Sequence, residues 1–393
     1  MALEYSHHLG ELFVSSREKG KKGLPHYSVT LHDGLVLRNS LERRTDTNID
    51  DRDHLLIKNG YIAYNMMRVW QGALGKASAD GIVSPAYIVL KPTEYVDSQY
   101  AEYLFKSLRM IYLFWAYSYG LTNDRLRLYY RDFARIKVKI PELPEQRKIA
   151  KILQTWDRAI ATTEKLIDAS KQQKKALMQQ LLTGKKRFPG FEGEWKVVLL
   201  GDVCRVSGGK RLPKGNTLQT TPNNHPYLRV TNMKMGGIDK SGLLYVPEDI
   251  APTISRYRVQ KNDLFITVAG TLGLVGKVPS SLDGANLTEN ADMLTNIKCD
   301  RNYLLYAMMS PQFQKSIENA TTQNAQPKLA LSRIRNFEVS LPCDDEQRKI
   351  ASAIEISIRE IKISKHRLTH LKQEKKALMQ QLLTGKRRVK ADA

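Results

Sequence analysis

The side chains best suited to chemistry in this chain are Arg, Lys, Asn and Gln gathered on glycine-containing loops, and they come in two sets. In the first, Arg17, Lys19, Lys21 and Lys22 flank one turn, Arg68, Gln71 and Lys76 lie on a Trp/Gly turn, and Asn123, Arg125 and Arg127 lie on a third. In the second, Lys210, Arg211 and Lys214 follow Ser207-Gly208-Gly209, Lys277 closes Val275-Gly276-Lys277, and Gln323, Asn324, Gln326 and Lys328 share a loop. Arg and Lys bond the major-groove edge of guanine, Asn and Gln that of adenine. Neighbouring Lys and Arg hold phosphates. Any one such residue is more commonly plain solvated surface. Recurrence of the set at similar positions is what points to DNA.

Composition agrees. The 62 Lys and Arg outweigh 40 Asp and Glu for a net charge of +22, which suits a polyanionic partner. The excess is spread over the chain, five or six charges in each of residues 1–140, 141–190, 191–340 and 341–393. A length of 393 residues implies two or three domains, and 42 % hydrophobic with 26 % charged residues implies a globular chain. No window approaches eighteen uncharged apolar residues and Met1 opens no signal pattern, so neither membrane insertion nor secretion is expected. Cys204, Cys299 and Cys343 are scattered, which fits a reducing cytoplasm and excludes a disulfide scaffold.

Catalytic patterns are missing. There is no phosphate-binding Gly-x-x-x-x-Gly-Lys-Ser/Thr loop, and Gly270–Lys277 has the wrong spacing for one. No Gly-x-Gly-x-x-Gly occurs, nor the Asn/Asp-Pro-Pro-aromatic tetrapeptide of an amino-methyltransferase. His7 and His8 would point to opposite faces of a strand and are expected on a loose terminus, so no metal site is expected. Asp344-Asp345-Glu346 suits a helix N-terminus. Two basic readers without chemistry point to a targeting subunit rather than an enzyme.

The elements that must position these loops are revealed by an internal repeat. Glu145-Gln146-Arg147-Lys148-Ile149-Ala150 recurs 201 residues later from Glu346, and KKALMQQLLTGK at Lys174–Lys185 recurs unchanged at Lys375–Lys386. Between 145–186 and 346–387, 22 of 42 positions are identical without a gap. The intervening segments match only weakly, as in Lys58-Asn59-Gly60-Tyr61-Ile62 against Lys261-Asn262-Asp263-Leu264-Phe265. The order is variable, repeat, variable, repeat, with boundaries at 1–140, 141–190, 191–340 and 341–393.

Each repeat reads as one long helix closed by Gly184 or Gly385. Apolar residues recur at steps of four and three from Ile149 through Leu153, Trp156, Ile160, Thr163, Ile167, Ser170, Lys174 and Leu177 to Leu181. The second copy gives Ile350, Ile354, Ser357, Ile361, Ser364, Leu368, Leu371, Lys375, Leu378 and Leu382. A stripe of that period predicts a coiled-coil seam, about 57 Å long for about 38 residues. Neither helix buries its stripe alone, so an antiparallel pair is expected. Identity of the two helix ends predicts equivalent partner subunits docked at Leu177, Met178 and Leu181 and at Leu378, Met379 and Leu382. The variable segments are mixed α and β, with β-rich runs at Tyr61–Tyr64, Ile82–Leu90, Leu264–Val268 and Glu338–Leu341 and one helical stretch each, near Gln99–Trp115 and Asn302–Asn319. The fold class expected is α/β (α+β): two mixed domains separated by a long antiparallel two-helix coiled coil with pseudo-twofold character.

Over nearly its whole length the chain resembles the specificity (S) subunit of type I restriction–modification systems. The resemblance rests on the domain–helix–domain–helix order and on KKALMQQLLTGK. It rests also on Pro-x-x-x-Glu-Gln-x-x-Ile-Ala at Pro141 and Pro342, and on Phe188-Pro189-Gly190-Phe191 followed by Trp195. It implies two target-recognition domains that each read half of a bipartite, asymmetric double-stranded DNA site, spaced by the coiled coil. It implies two methyltransferase (M) subunits that bind S-adenosylmethionine and methylate adenine N6, and two restriction/translocase (R) subunits that use ATP and Mg. No cofactor is expected in this chain itself. One departure stands out: residues 1–8 lack a Trp like Trp195, so the opening strand is expected to be shortened or supplied by the chain's other end. Two rival readings remain: a coiled-coil scaffold bridging identical partners with basic loops on RNA or another polyanion, and a self-sufficient methyltransferase or nuclease, which the missing motifs disfavour.

Overall fold

The computed structural model of the chain describes residues 5–41, 50–122, 125–321 and 328–390. Two long helices organise it, Leu143–Leu181 and Asp344–Leu383. The first begins before Pro144, which is tolerated in a first turn because no intrahelical N–H bond is lost there. Both helices terminate where Gly184 and Gly385 take φ of +69° and +71°, a left-handed conformation that costs a Cβ-bearing residue strain. Every position of the two expected stripes is buried or half-buried, whereas Leu166, Ile356 and Ile363, off the stripe, are exposed. The 3.5-residue period was therefore a sound guide to the packed face.

The chain divides into two compact units, Met1–Lys165 with His366–Ala393, and Leu166–Lys365. Each unit joins one globular domain to the start of one long helix and the end of the other. In the first, Ile149 and Leu153 share a core with Leu382 and Leu383. In the second, Leu181 and Leu182 share a core with Ile350 and Ile354. A helix start packed on a helix end makes the pairing antiparallel, as the sequence predicts.

The two globular domains repeat one topology. In the first, Tyr5–His8 pairs with Lys137–Ile140, and a four-stranded antiparallel sheet runs in the order Phe13–Ser16, Tyr87–Pro92, Ile62–Asn65, Leu74–Lys76. A second sheet runs Leu35–Leu37, His26–Val29, Gly81–Val83, Leu55–Ile57, its central pair parallel. In the other domain Lys196–Leu199 pairs with Glu338–Leu341, and the first sheet runs Arg205–Gly208, Ala291–Thr295, Leu264–Thr267, Val275–Lys277. Its second sheet runs Leu244–Tyr245, Pro226–Leu228, Ala285–Leu287, Arg258–Val259, again with a parallel central pair. Among the described residues a hairpin, Met233–Lys234 with Gly237–Ile238, is found in this domain alone.

Several expectations need correction. The run Ile82–Leu90 is two strands in different sheets, parted at Ser84–Ala86. Each expected single helix is two: Ser98–Phe105 and Leu108–Ala116, then Arg301–Met308 and Pro311–Ala320. Ser107 and Ser310 restart them, each side chain accepting a backbone N–H three residues on, the bond that favours Ser at an N-cap. The opening strand comes from Tyr5–His8 itself, and His7 and His8 are held by Glu11 and by the Arg135 carbonyl rather than lying on a loose end.

What the chain's other end supplies is an arginine latch. Arg388 donates from Nε and Nη2 to the Glu145 carboxylate at 2.9 and 2.6 Å, and the Val389 N–H joins it at 3.1 Å. One repeat away, Arg187 grips Glu346 at 2.9 and 2.7 Å. The next repeated residue is equally engaged. Gln146 accepts the Asp97 N–H and donates to the Pro141 and Tyr95 carbonyls. Gln347 accepts the Asp300 N–H and donates to the Pro342 carbonyl. Asp97 and Asp300 in turn cap the helices that begin at Ser98 and Arg301. Much of the repeat's identity thus serves internal joints. Burial pushes the Glu145 carboxyl up, but the Arg388 bonds and the Val389 N–H outweigh it and hold it below its ordinary value.

Two outcomes follow. Glu346 has a fully buried side chain, and removing one partner of a buried pair costs about 3–5 kcal/mol. Arg187→Ala should therefore lower unfolding stability by about 3 kcal/mol in urea titration, and R187M combined with E346L should recover most of it. A loss under about 1 kcal/mol would contradict the latch, on the same principle. Because Glu145 is depressed in the folded state, its contribution is complete above the ordinary carboxylate pKa of about 4.3 and is lost as pH falls through the folded value. The stability gap between wild type and Arg388→Ala should accordingly shrink on acidification below about pH 4, and a gap that is constant with pH would contradict the assignment.

Candidate nucleic-acid interface

The strand registers sort the basic loop residues between the two ends of each domain's first sheet. In the first domain Asn65 opposite Tyr87 and Ser16 opposite Val89 mark one end, while Ile62 opposite Lys76 and Phe13 opposite Pro92 mark the other. Arg17 follows Ser16 and Arg68 and Gln71 lie just past Asn65, all at the first end. The Leu128 N–H donates to the Met66 carbonyl at 3.0 Å, and Tyr119 and Arg127 exchange backbone bonds of 3.2 and 3.0 Å. These bonds bring the loop carrying Arg125 and Arg127 to the same end. Arg17 lines a cleft of about 560 Å³ there with Leu55, Met66, Tyr87, Tyr129 and Arg131. Lys19 bridges to Leu55 through the backbone and reaches Asp53 at 3.8 Å; Lys21 and Lys22 are exposed on the adjoining turn. Lys76 is not part of this cluster. It sits at the opposite end, where its N–H meets Glu102 at 3.4 Å.

The second domain is arranged alike. Gly208 opposite Asp292 and Thr267 opposite Ala291 mark the end that carries the basic loops, and Leu264 opposite Lys277 the other. The Lys210 N–H donates to the Leu287 carbonyl at 2.8 Å and its ammonium lies 5.9 Å from the Tyr257 ring centre. Arg211 pairs with Glu289 at 2.6 Å. Burial raises the Glu289 carboxyl, yet the Arg211 bond and its other donors bring it below the ordinary value. Lys214 is exposed, and Lys328 bridges to Ala269 at this end. Lys277 lies away from them, paired with Glu355 at 3.5 Å. Asn123, Gln323, Asn324 and Gln326 fall outside the described residues.

Sequence reasoning missed part of both candidate interface ends. In the first domain it passed over Arg131, Tyr87 and Tyr129, and the helix Leu108–Ala116, which turns Leu108, Tyr112 and Trp115 outward. That helix packs against Val69–Gln71, beside Arg68. An exposed i, i+4, i+7 apolar stripe was the available signal. In the second domain it passed over Arg229, which lines one cleft with Arg211, Asn216 and Asn290 and donates to the Gly242 carbonyl. Its signal was weak, one arginine after a short strand.

The residues expected to dock partner subunits are largely occupied inside the units. Met178, Leu181 and Leu382 are buried, and Leu177, Leu378 and Met379 are half-buried against the two domain cores. In the same repeated runs Lys175, Gln179 and Gln180, and Lys376, Gln380 and Gln381, are among the exposed residues. Among the described residues no cluster of His, Cys, Asp and Glu could hold a metal ion, and no helix is long and apolar enough to cross a membrane.

Comparison with known proteins agrees with this arrangement. The family described as "Type I restriction modification DNA specificity domain" matches twice, at residues 9–171 and 192–373. The MjaVIII type I restriction enzyme specificity subunit of Methanocaldococcus jannaschii is 26% identical over 273 residues, 66% of this chain and 64% of that one. The putative MjaX specificity subunit from the same organism is 26% identical over 267 residues, 65% of this chain and 60% of that one. The aligned part thus spans less than two thirds of either relative. Among solved structures, the HsdS subunit from Thermoanaerobacter tengcongensis has a TM-score of 0.56 at 17% identity, over 97% of both chains. The type I restriction–modification S subunit from M. genitalium has a TM-score of 0.57 at 17% identity, over 97% of this chain and 96% of that one. These two show a shared fold. The paired family match covers most of the sequence and coincides with the duplicated architecture, so the chain belongs to the type I restriction–modification specificity family.

Proposed function

We propose that the chain is a non-catalytic specificity subunit that reads a bipartite, asymmetric duplex DNA site, one half with each domain, and docks two adenine-N6 methyltransferase subunits. Two restriction/translocase subunits complete the assembly in this reading. S-adenosylmethionine, ATP and Mg belong to the partner subunits. The observation that carries the proposal is one topology used twice with unlike residues at the same sheet end: Arg17, Arg68, Gln71, Arg125 and Arg127 in one domain, Lys210, Arg211, Lys214 and Lys328 in the other. Equal scaffolds with unequal readers suit a site whose two halves differ in sequence. A bidentate Arg–guanine or Gln–adenine pair discriminates by about 1–3 kcal/mol, enough for a few such contacts to define a half-site.

Two equal partners need two equal surfaces. Exposed polar members of the repeated runs, Lys175, Gln179 and Gln180 with Lys376, Gln380 and Gln381, supply that surface in preference to the half-buried and buried apolar residues Leu177, Met178, Leu181, Leu378, Met379 and Leu382.

The experiment is methylome sequencing of cells expressing the chain with its methyltransferase partner. It should report adenine methylation in a two-block motif with a fixed gap. The combination R68A and R127A should relax or abolish one block and leave the other intact. A single contiguous motif, or loss of both blocks with the complex still assembled and bound to non-specific DNA, would refute the reading.

A further inference from the structure

Two clefts outside the reading end of the second domain join into one furrow. The first, about 540 Å³, is lined by Lys261, Lys277 and Arg301 beside Gly236 and Gly237. The second, about 500 Å³, is lined by Lys174, Lys277, Arg359 and Lys362, again beside Gly236. Gly236 and Lys277 belong to both. Six cations face the furrow against one carboxylate, Glu355, which Lys277 already engages. The shared wall is built by the hairpin Met233–Ile238, which has no counterpart among the described residues of the first domain.

We propose that this furrow is a track for the phosphodiester backbone of duplex DNA, a sequence-independent grip belonging to the second domain alone. The inference rests on the DNA-reading function proposed above. The strands of the second domain's first sheet are five residues or fewer, about 17 Å at about 3.3 Å per residue, so the furrow and the reading end are separated by about five base-pair rises of about 3.4 Å. One duplex lying beside the domain reaches both. A methyltransferase surface is the weaker occupant because equal partners would require an equal site in the first unit. There Lys76 and Arg158 match Lys277 and Arg359, but Ser98 stands for Arg301 and Ala161 for Lys362, Lys58 is paired with Glu18, and Lys375 is paired with Asp157. A run of phosphates fits better: several cations with few fixed partners along one channel neutralise a line of charge without needing one docked shape.

The test uses the complex of the full chain with its methyltransferase partner and fluorescence anisotropy on specific and scrambled duplexes across a salt series. Lys261, Arg359 and Lys362 are exposed, so the triple variant K261A/R359A/K362A should fold and assemble. Each phosphate contact contributes about 0.9 to the slope of log K against log salt, so the slope should fall by about 2 to 3 and affinity should drop by the same factor on both duplexes. The methylated motif should be unchanged, and K261R with K362R should keep the wild-type slope. An unaltered slope and affinity in the triple variant would overturn the track. So would loss of methyltransferase assembly with the DNA affinity of the chain retained, which would make the furrow a protein-docking groove. Failure of the wild-type complex to prefer its specific duplex would instead defeat the underlying functional reading.

Discussion

The rest of the structure depends on one constraint: neither long helix can bury its apolar stripe alone. A helix of about 39 residues with a hydrophobic seam and polar flanks requires a partner along its length. The chain meets this requirement by duplication, and each compact unit contains the start of one helix and the end of the other. Cooperative stability then cannot reside in either sequence half separately. Ile149 and Leu153 find their core neighbours in Leu382 and Leu383, and Leu181 and Leu182 find theirs in Ile350 and Ile354.

Polar joints fix what the hydrophobic seam leaves free. A stripe of Ile and Leu tolerates sliding by a heptad, whereas a bidentate arginine on a buried glutamate does not. The Glu145–Arg388 and Glu346–Arg187 pairs each tie the first turn of one helix to the segment just past the end of the other. The neighbouring Gln146 and Gln347 then anchor a domain helix through the Asp97 and Asp300 amides. Register, domain placement on the helix start, and closure of the terminal segment are set by the same dipeptide in each copy.

Much of this was legible in the sequence, for physical reasons that differ by element. The helices, their closing glycines and the seam could be read because a 3.5-residue stripe and a left-handed cap are local patterns. Leu264–Thr267 and Glu338–Leu341 were visible as short β-rich runs. The equal strand orders of the two domains were not, because the pairings join residues far apart in chains that share few identities. Nor was the latch: Arg187 and Glu346 are 159 residues apart, Arg388 and Glu145 243, and nothing local marks either arginine among so many basic neighbours. The repeated Leu and Met residues were read as a partner surface because identity between copies and exposure look alike in a sequence; burial separates them. At the candidate interface, residue type singled out Arg17, Arg68, Gln71, Arg125 and Arg127, which strand register and backbone bonds gather at one end of their domain. It could not tell that Lys76 and Lys277 sit at the other end, since only strand register decides which end of its sheet the last lysine of a three-residue strand occupies.

The central claim is that one scaffold, used twice, presents two unlike readers to one duplex. Hydroxyl-radical footprinting of the chain with its methyltransferase partner, on a duplex carrying the modified motif, tests it most directly. The account predicts two separate blocks of protection flanking an intervening stretch that contributes little to base specificity. A single continuous block that one domain's loop substitutions erase entirely, or uniform protection independent of sequence, would contradict it.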